Sequence, residues 1–272
     1  MTDAATTDAG TMTDAFTAAW QAWRERRWHD VSSPHGIAAL AATHWLGDGE
    51  LELDGVPGRW RADGVAVAGT GLEGSGLTQP DGTPADDEVL LLPGDELRHG
   101  EALLRAFVRE GVPALRVIDP AAERRTGLSG ISAFEPDPAW VVPARWTAGG
   151  PVLDVEQVDG HRTRVSAVGD LAFELDGRQL HLTTTEGVDA DGAAALAVVF
   201  GDATNDDTTD RFRFLRLPLP DASGATTIDF NRAFLPPCSF SDHYVCPLPS
   251  PGNRLAIAVP VGERLPVTAA GG

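Results

Sequence analysis

The strongest constraint on this chain is a recurring turn signal set between short alternating segments. "ELELDG", "GRWRADG" and "VAVAG" follow one another from Glu50, and Asp159-Gly160 and Asp176-Gly177 repeat the signal further on. Two-residue hairpin loops need positive φ at their central positions, which Asp-Gly supplies at little steric cost. Strands joined by such loops are antiparallel. The sequence has 30 glycines and 20 prolines among 272 residues, which suits many short strands and not a helical bundle. With 42% hydrophobic residues there is enough apolar material for a sizeable core. The expected fold is mainly β: an antiparallel curved sheet, sandwich or partly closed barrel, with two N-terminal helices.

Residues 1–11 are small, polar and acidic and are expected to be disordered. A helical segment is expected over 12–47. Thr13 is placed to cap a first helix, along which Phe16, Trp20, Trp23 and Arg27 or Trp28 recur at helical spacing. Ser33-Pro34 reads as the start of a second, carrying Ile37, Leu40, Ala41 and His44-Trp45 before Gly47. A single β-rich domain over 48–265 follows, in two halves of about 48–120 and 140–265, and 266–272 reads as a flexible end. Within it, "ALLRAFVREGVPALRVIDP" (102–120) has the pattern of a hairpin studded with Arg105, Arg109 and Arg116. "ALAVVF" (195–200) has the unbroken apolar run of a buried strand, and "RFRFLRLPL" (211–219) alternates arginine with apolar residues.

The formal net charge is −19, and every basic side chain other than histidine is arginine. Such a surface repels phosphate backbones, so nucleic acid is not an expected partner. The N-terminus lacks a basic region followed by an apolar one, and no run of about 18 apolar residues occurs. The expectation is a cytoplasmic protein that does not engage membrane, with Cys238 and Cys246 as thiols.

Several stretches carry a family resemblance: "THWLG" (43–47), "PGRW" (57–60), "LRVIDP" (115–120), "FGDATN" (200–205), "DFNRAFLPPCSF" (229–240) and "CPLPSPGNRLAIAVPVGE" (246–263). Together they resemble the bacterial domain-of-unknown-function family 1684, in its actinobacterial form. The resemblance implies no settled activity. It does expose departures: Asp206 stands where the family usually has glycine, Asp210 where it usually has tyrosine, and Leu235 where asparagine is more common.

Three constellations carry chemistry. The first is C-x4-H-x2-C, formed by Cys238, His243 and Cys246. Thiolate and imidazole suit zinc, but a closed structural site takes four ligands and no further Cys or His pair supplies the fourth. A disulfide, a nucleophilic Cys238, and two thiols packed beneath a proline-stiffened segment are the other readings. The second is polar: Asp202, Thr204, Arg213, Asp229, Asn231, Asn253 and Glu263. Asp202 or Asp229 would serve as a general base, Arg213 would hold an anionic substrate, and Thr204 and Asn231 would orient it. The same residue types equally satisfy loop backbone and close a buried Arg–Asp seam. The third joins Trp23, His44, Trp45 and Trp60 with Arg105 or Arg116, a set suited to a flat or anionic ligand or to plain core packing. His44 is a further candidate base. Three functions remain open: a small-molecule-binding β domain with its site near "FGDATN" and "DFNRA", a hydrolase working by carboxylate acid–base chemistry, and an interaction module without a pocket. The cofactor is left open; a flavin or nucleotide is among the flat or anionic ligands the third set could hold.

Overall fold

The computed structural model describes residues 4–269. Strands take 47% of the chain and helices 15%, so the fold is mainly β, built of antiparallel sheets. The chain divides into two compact units. The smaller comprises His29–Leu128 and Phe240–Tyr244; the larger takes Trp28 and the residues before it, Ser129–Ser239, and the chain from Val245 onward.

The smaller unit holds β1 (Leu40–Trp45), β2 (Leu51–Leu53), β3 (Val56–Asp63), β4 (Ala66–Thr70), β5 (Leu77–Thr78), β6 (Glu88–Leu91), β7 (Glu96–His99), β8 (Ala102–Arg109) and β9 (Val112–Ile118). They make a five-stranded sheet in the order β1-β9-β8-β7-β5 and a four-stranded sheet in the order β2-β3-β4-β6. The expected hairpin over 102–120 is β8–β9. Its two-residue loop places Glu110 and Gly111 at φ 48° and 85°, the positive values such a turn demands. Trp60, Val67, Leu72, Leu97, Leu104 and Leu115 form the core of this unit.

In the larger unit lie β10 (Leu128–Ala133), β11 (Val141–Ala148), β12 (Val152–Glu156), β13 (Arg162–Ser166), β14 (Gly169–Leu175), β15 (Arg178–Val188), β16 (Ala194–Phe200), β17 (Arg213–Leu217), β18 (Ala225–Asp229) and β19 (Glu263–Thr268). Six of them form one sheet in the order β17-β16-β15-β14-β11-β18; β12 pairs with β13 and β10 with β19. Asp176 and Gly177 close β14–β15 at φ 51° and 70°, as the Asp-Gly signal requires. Leu171, Leu182, Val198, Phe200, Leu215 and Phe230 pack on the inner face of the six-stranded sheet.

Two expectations about the helices need correcting. One helix, α1 (Ala4–Ser32), is long. It starts well before Thr13, so Thr13 does not mark its N-terminus; the side chains of 4–13 lie outside the described set, as does the very start of the stretch expected to be disordered. The second helix is absent from its expected place. After a single 3₁₀ turn at Ile37–Ala39, the chain from Leu40 to Trp45 is β1. Pairing decides this: Thr43, His44 and Trp45 sit opposite Arg116, Leu115 and Ala114 of β9. Thr43 and Trp45 also favour strand, and local helical spacing yields to a ready-made neighbouring edge. The expected flexible tail begins within β19, and 270–272 lie outside the described residues.

Candidate functional site

The second constellation converges in the larger unit. β16 ends in Phe200 and the chain turns through Asp202; β17 opens on Arg213. Both side chains are fully enclosed, and Arg213 Nη2 donates to Asp202 Oδ2 at 2.7 Å. The remaining donors on the two Nη atoms go to backbone: Nη2 to the Val259 carbonyl at 2.8 Å and Nη1 to the Val261 carbonyl at 2.5 Å. The ring of Phe200 lies 5.4 Å from the guanidinium carbon. Burial pushes the Arg213 pKa down, and the attraction of Asp202 opposes that push.

The carboxylate of Asp202 is as heavily engaged. Its Oδ1 accepts from the Thr204 amide at 2.9 Å, the Thr204 hydroxyl at 2.6 Å and the Val259 amide at 3.2 Å. Thr204 meets the Thr209 hydroxyl at 2.9 Å, and Asn205 reaches both Thr209 Oγ1 and the Asp210 carbonyl. Asp206 has φ 62°, a left-handed value that favours glycine and that Asp tolerates better than most residues. Asp210 accepts a short hydrogen bond from the Ser239 hydroxyl and another from the Arg211 amide at 2.7 Å.

Asn231 is buried and spans two loops: its Oδ1 accepts from the Asp137 amide at 2.8 Å and its Nδ2 donates to the Asp137 carbonyl at 2.9 Å. Asp229 caps the 3₁₀ turn that follows it, accepting from the Asn231 amide at 3.1 Å. Asn253 clamps β15 to β16 through Thr183 and Val199. Asp202, Arg213 and Thr204 are thus brought together and Asp229 pairs with Asn231; most of their polar atoms are spent on each other, on Thr209 and Arg232 or on backbone, and Arg213 Nε is buried without a partner among the described residues. An enclosed carboxylate with four hydrogen bonds has no face to offer a substrate.

Glu263 leads outward from this seam. Its backbone carbonyl lies 3.4 Å from Arg213 Nη1, while its carboxylate takes a two-pronged pair from Arg27 at 3.1 and 3.2 Å and the Leu235 amide at 2.8 Å. Arg27 comes from α1, which docks through Trp20 Nε1 on the Asn231 carbonyl at 3.2 Å and through Arg24 Nη2 on the Ile131 carbonyl at 2.5 Å. Between Arg24, Trp28, Ser129, Gly130, Ile131 and Glu263 lies a cavity of about 230 Å³. Arg24 lines it, and its Nη1 is buried without a hydrogen-bond partner among the described residues. Burial pushes the Arg24 pKa down; Glu263 opposes that and Arg27 adds to it. The sequence reading missed Arg24. Its only signal was spacing, since Trp20, Arg24, Arg27 and Trp28 share one helical face with an aromatic stripe that drew attention away from the arginines.

The other two constellations are dispersed. Trp60 is a fully buried core residue of the smaller unit, Trp23 lies on α1 in the larger, and Arg105 pairs with Glu96. Trp45 and Phe107 meet edge to face at 5.9 Å; Arg109 stacks 4.3 Å above Trp45, and Arg116 stacks 3.5 Å above Phe107. His44 lies opposite Leu115 on β9 with its Nε2 buried. Cys238 and Cys246 belong to the larger unit and His243 to the smaller, and among the described residues no three His, Cys, Asp or Glu side chains group as metal ligands.

Two outcomes follow. Asp202→Asn leaves a guanidinium enclosed without its counter-charge, so urea unfolding should show a loss of about 3–5 kcal/mol; a loss under about 1 kcal/mol would mean the pair is dispensable. His44 titrates in the opposite sense from a paired histidine. Burial and the neighbouring His243 hold its pKa below 6.5, against a weaker pull from Asp54. Folding thus disfavours the proton: this contribution is complete above the unfolded value and is lost as pH falls through and below it. Between pH 7 and 5 the urea midpoint should fall less in His44→Gln than in the native protein, and an equal fall in both would refute the assignment.

Against known proteins, the model of the family described as Protein of unknown function (DUF1684) matches residues 126–264, a span that contains the seam, Glu263 and the β10 wall of the cavity. The chain is similar to the uncharacterized protein of Haloarcula marismortui, known from a solution NMR structure: 34% identity over 52% of this chain and 78% of that one, with a TM-score of 0.41. No curated protein matches. The match spans half the chain and includes every residue of the Asp202–Arg213 seam, so the chain belongs to the DUF1684 family.

Proposed function

We propose that this protein binds a small anionic molecule in the cavity beside Glu263. The observation that carries this reading is Arg24, which lines the cavity and keeps its Nη1 buried with no hydrogen-bond partner among the described residues. A buried donor left unsatisfied costs about 1–3 kcal/mol, so the site gains when an acceptor fills it. The local charge supports an anion. Glu263 is fully engaged by Arg27, and Arg24 remains as the positive group facing the space. A carboxylate or phosphate oxygen matches a guanidinium edge, and the Ser129–Ile131 strand edge and Trp28 supply the polar and flat walls that orient a ligand. About 230 Å³ suits a compact metabolite.

The reading refines the expectation of a site near "DFNRA". Asn231 and Leu235 hold α1 and Glu263 in place through their backbone groups, and the seam behind them fixes the floor. Carboxylate acid–base hydrolysis has less support, because Asp202 is enclosed and Asp229 caps a turn. An interaction module would account for the self-paired polar residues but not for Arg24.

Isothermal titration with inorganic phosphate and with short-chain carboxylates tests this. At least one should bind the native protein, and Arg24→Ala should weaken it by 10-fold or more. Equal binding by Arg24→Ala, or no binding of either class, would overturn the proposal.

A further inference from the structure

The two cysteines form a pair that the binding reading does not use. Cys238 sits in a 3₁₀ turn after Pro236-Pro237, and Cys246 directly precedes Pro247. Both are buried, at 6% and 5% exposure. The Cys238 amide donates to Cys246 Sγ at 3.3 Å, which lays the two side chains side by side. Arg211 Nη2 comes within 4.0 Å of Cys238 Sγ, placing a positive group where a thiolate would form.

The seven residues between the cysteines are unusual in where they belong. Phe240–Tyr244 packs as part of the smaller unit, although the cysteines on either side belong to the larger. There Ser241 Oγ donates to the Leu40 carbonyl at 2.6 Å, Thr43 Oγ1 donates to the His243 carbonyl at 3.0 Å, and Asp242 pairs with Arg124 at 2.7 Å. These contacts hold β1 and the helical turn Glu123–Thr126. The paired sulfurs therefore bracket a segment that the smaller unit borrows.

We infer that Cys238 and Cys246 are a dithiol–disulfide site, oxidised by a small-molecule disulfide, whose closed form clamps both ends of the 239–245 segment. In the first step a thiolate of the pair, its proton released to solvent, attacks one sulfur of the external disulfide; a protein–small-molecule disulfide forms and one small thiolate leaves. The second cysteine, deprotonated in turn, attacks the protein sulfur of that mixed disulfide and expels the second small thiolate. The protein loses two hydrogens and the external disulfide becomes two thiols. The hydrogen bond from the neighbouring thiol and burial both push the Cys238 pKa up, so the dithiol form is the resting one at neutral pH and the reaction speeds up as pH rises. Closing this short ring restricts the unfolded chain and stiffens the borrowed segment.

The test uses the full chain incubated with oxidised glutathione, quenched with an alkylating agent in denaturant and weighed intact. The expected product is two hydrogens lighter, takes up no alkyl group and carries no glutathione. Its Tm should rise by roughly 5 °C, reversibly on reduction. Amides of 240–244 should exchange several-fold more slowly in the oxidised form. Cys246→Ser should stop at the glutathione adduct or stay unreacted, with no rise in Tm. A native chain that keeps two alkylatable thiols, holds glutathione as Cys246→Ser does, or forms only intermolecular dimers would overturn the inference. The native chain decides the matter even if the variant fails to fold.

Discussion

The larger unit is organised around one enclosed ion pair. Arg213 opens β17, Asp202 follows β16, and between them they reach the backbone at Val259, Val261 and Thr204. Two charges taken out of water cost several kcal/mol each, and their attraction recovers this only if the remaining donors and acceptors are also met. Here most of them are. The result is a geometric lock: the stretch leading into β19 has no long strand partner at Val259–Val261, and these side chains hold its carbonyls where sheet hydrogen bonds would otherwise be needed.

That lock places the rest. With 259–263 fixed, Glu263 projects its carboxylate to Arg27 and the Leu235 amide, and α1 is fastened along the line Trp20, Arg24, Arg27. Arg24 then meets β10 with Nη2 on the Ile131 carbonyl, while its Nη1 is buried without a partner among the described residues. On the proposed reading, structural and binding roles are split between neighbouring arginines. Arg213 and Arg27 are consumed by carboxylates; Arg24 is the charge left over at a cavity. The acidic surface does not contradict an anion site, since net charge acts at long range and is screened while an enclosed guanidinium acts at contact.

Much of the fold was legible because turn chemistry is local. Asp176-Gly177 and the 102–120 hairpin could be read from residues a few positions apart. β1 could not, because its helical spacing is overridden by β9, more than 60 residues away. The polar set was legible as a set: Asp202, Thr204, Arg213, Asp229 and Asn231 were named together, and the structure joins them in two connected groups. Its enclosure was not, since burial of an Asp–Arg pair depends on strands from three parts of the chain. Arg24 escaped notice for the same reason, as its meaning comes from Ile131 and Glu263, which lie far off in sequence. Trp45 and Arg116 belong to a set expected to include Trp23, His44 and Trp60, but Arg116 stacks on Phe107, Arg109 stacks on Trp45, and Trp60 lies in the core of the smaller unit.

On the proposed reading, the seam is architecture and the cavity beside it binds the anion. The most direct measurement is a two-dimensional amide NMR titration with inorganic phosphate. The account predicts shifts that saturate at Gly130, Ile131 and Glu263 and at the Trp28 indole, with Thr204, Arg213 and Val259 unmoved. Saturating shifts centred on Thr204, Arg213 and Val259, with Gly130 and Ile131 still, would contradict it.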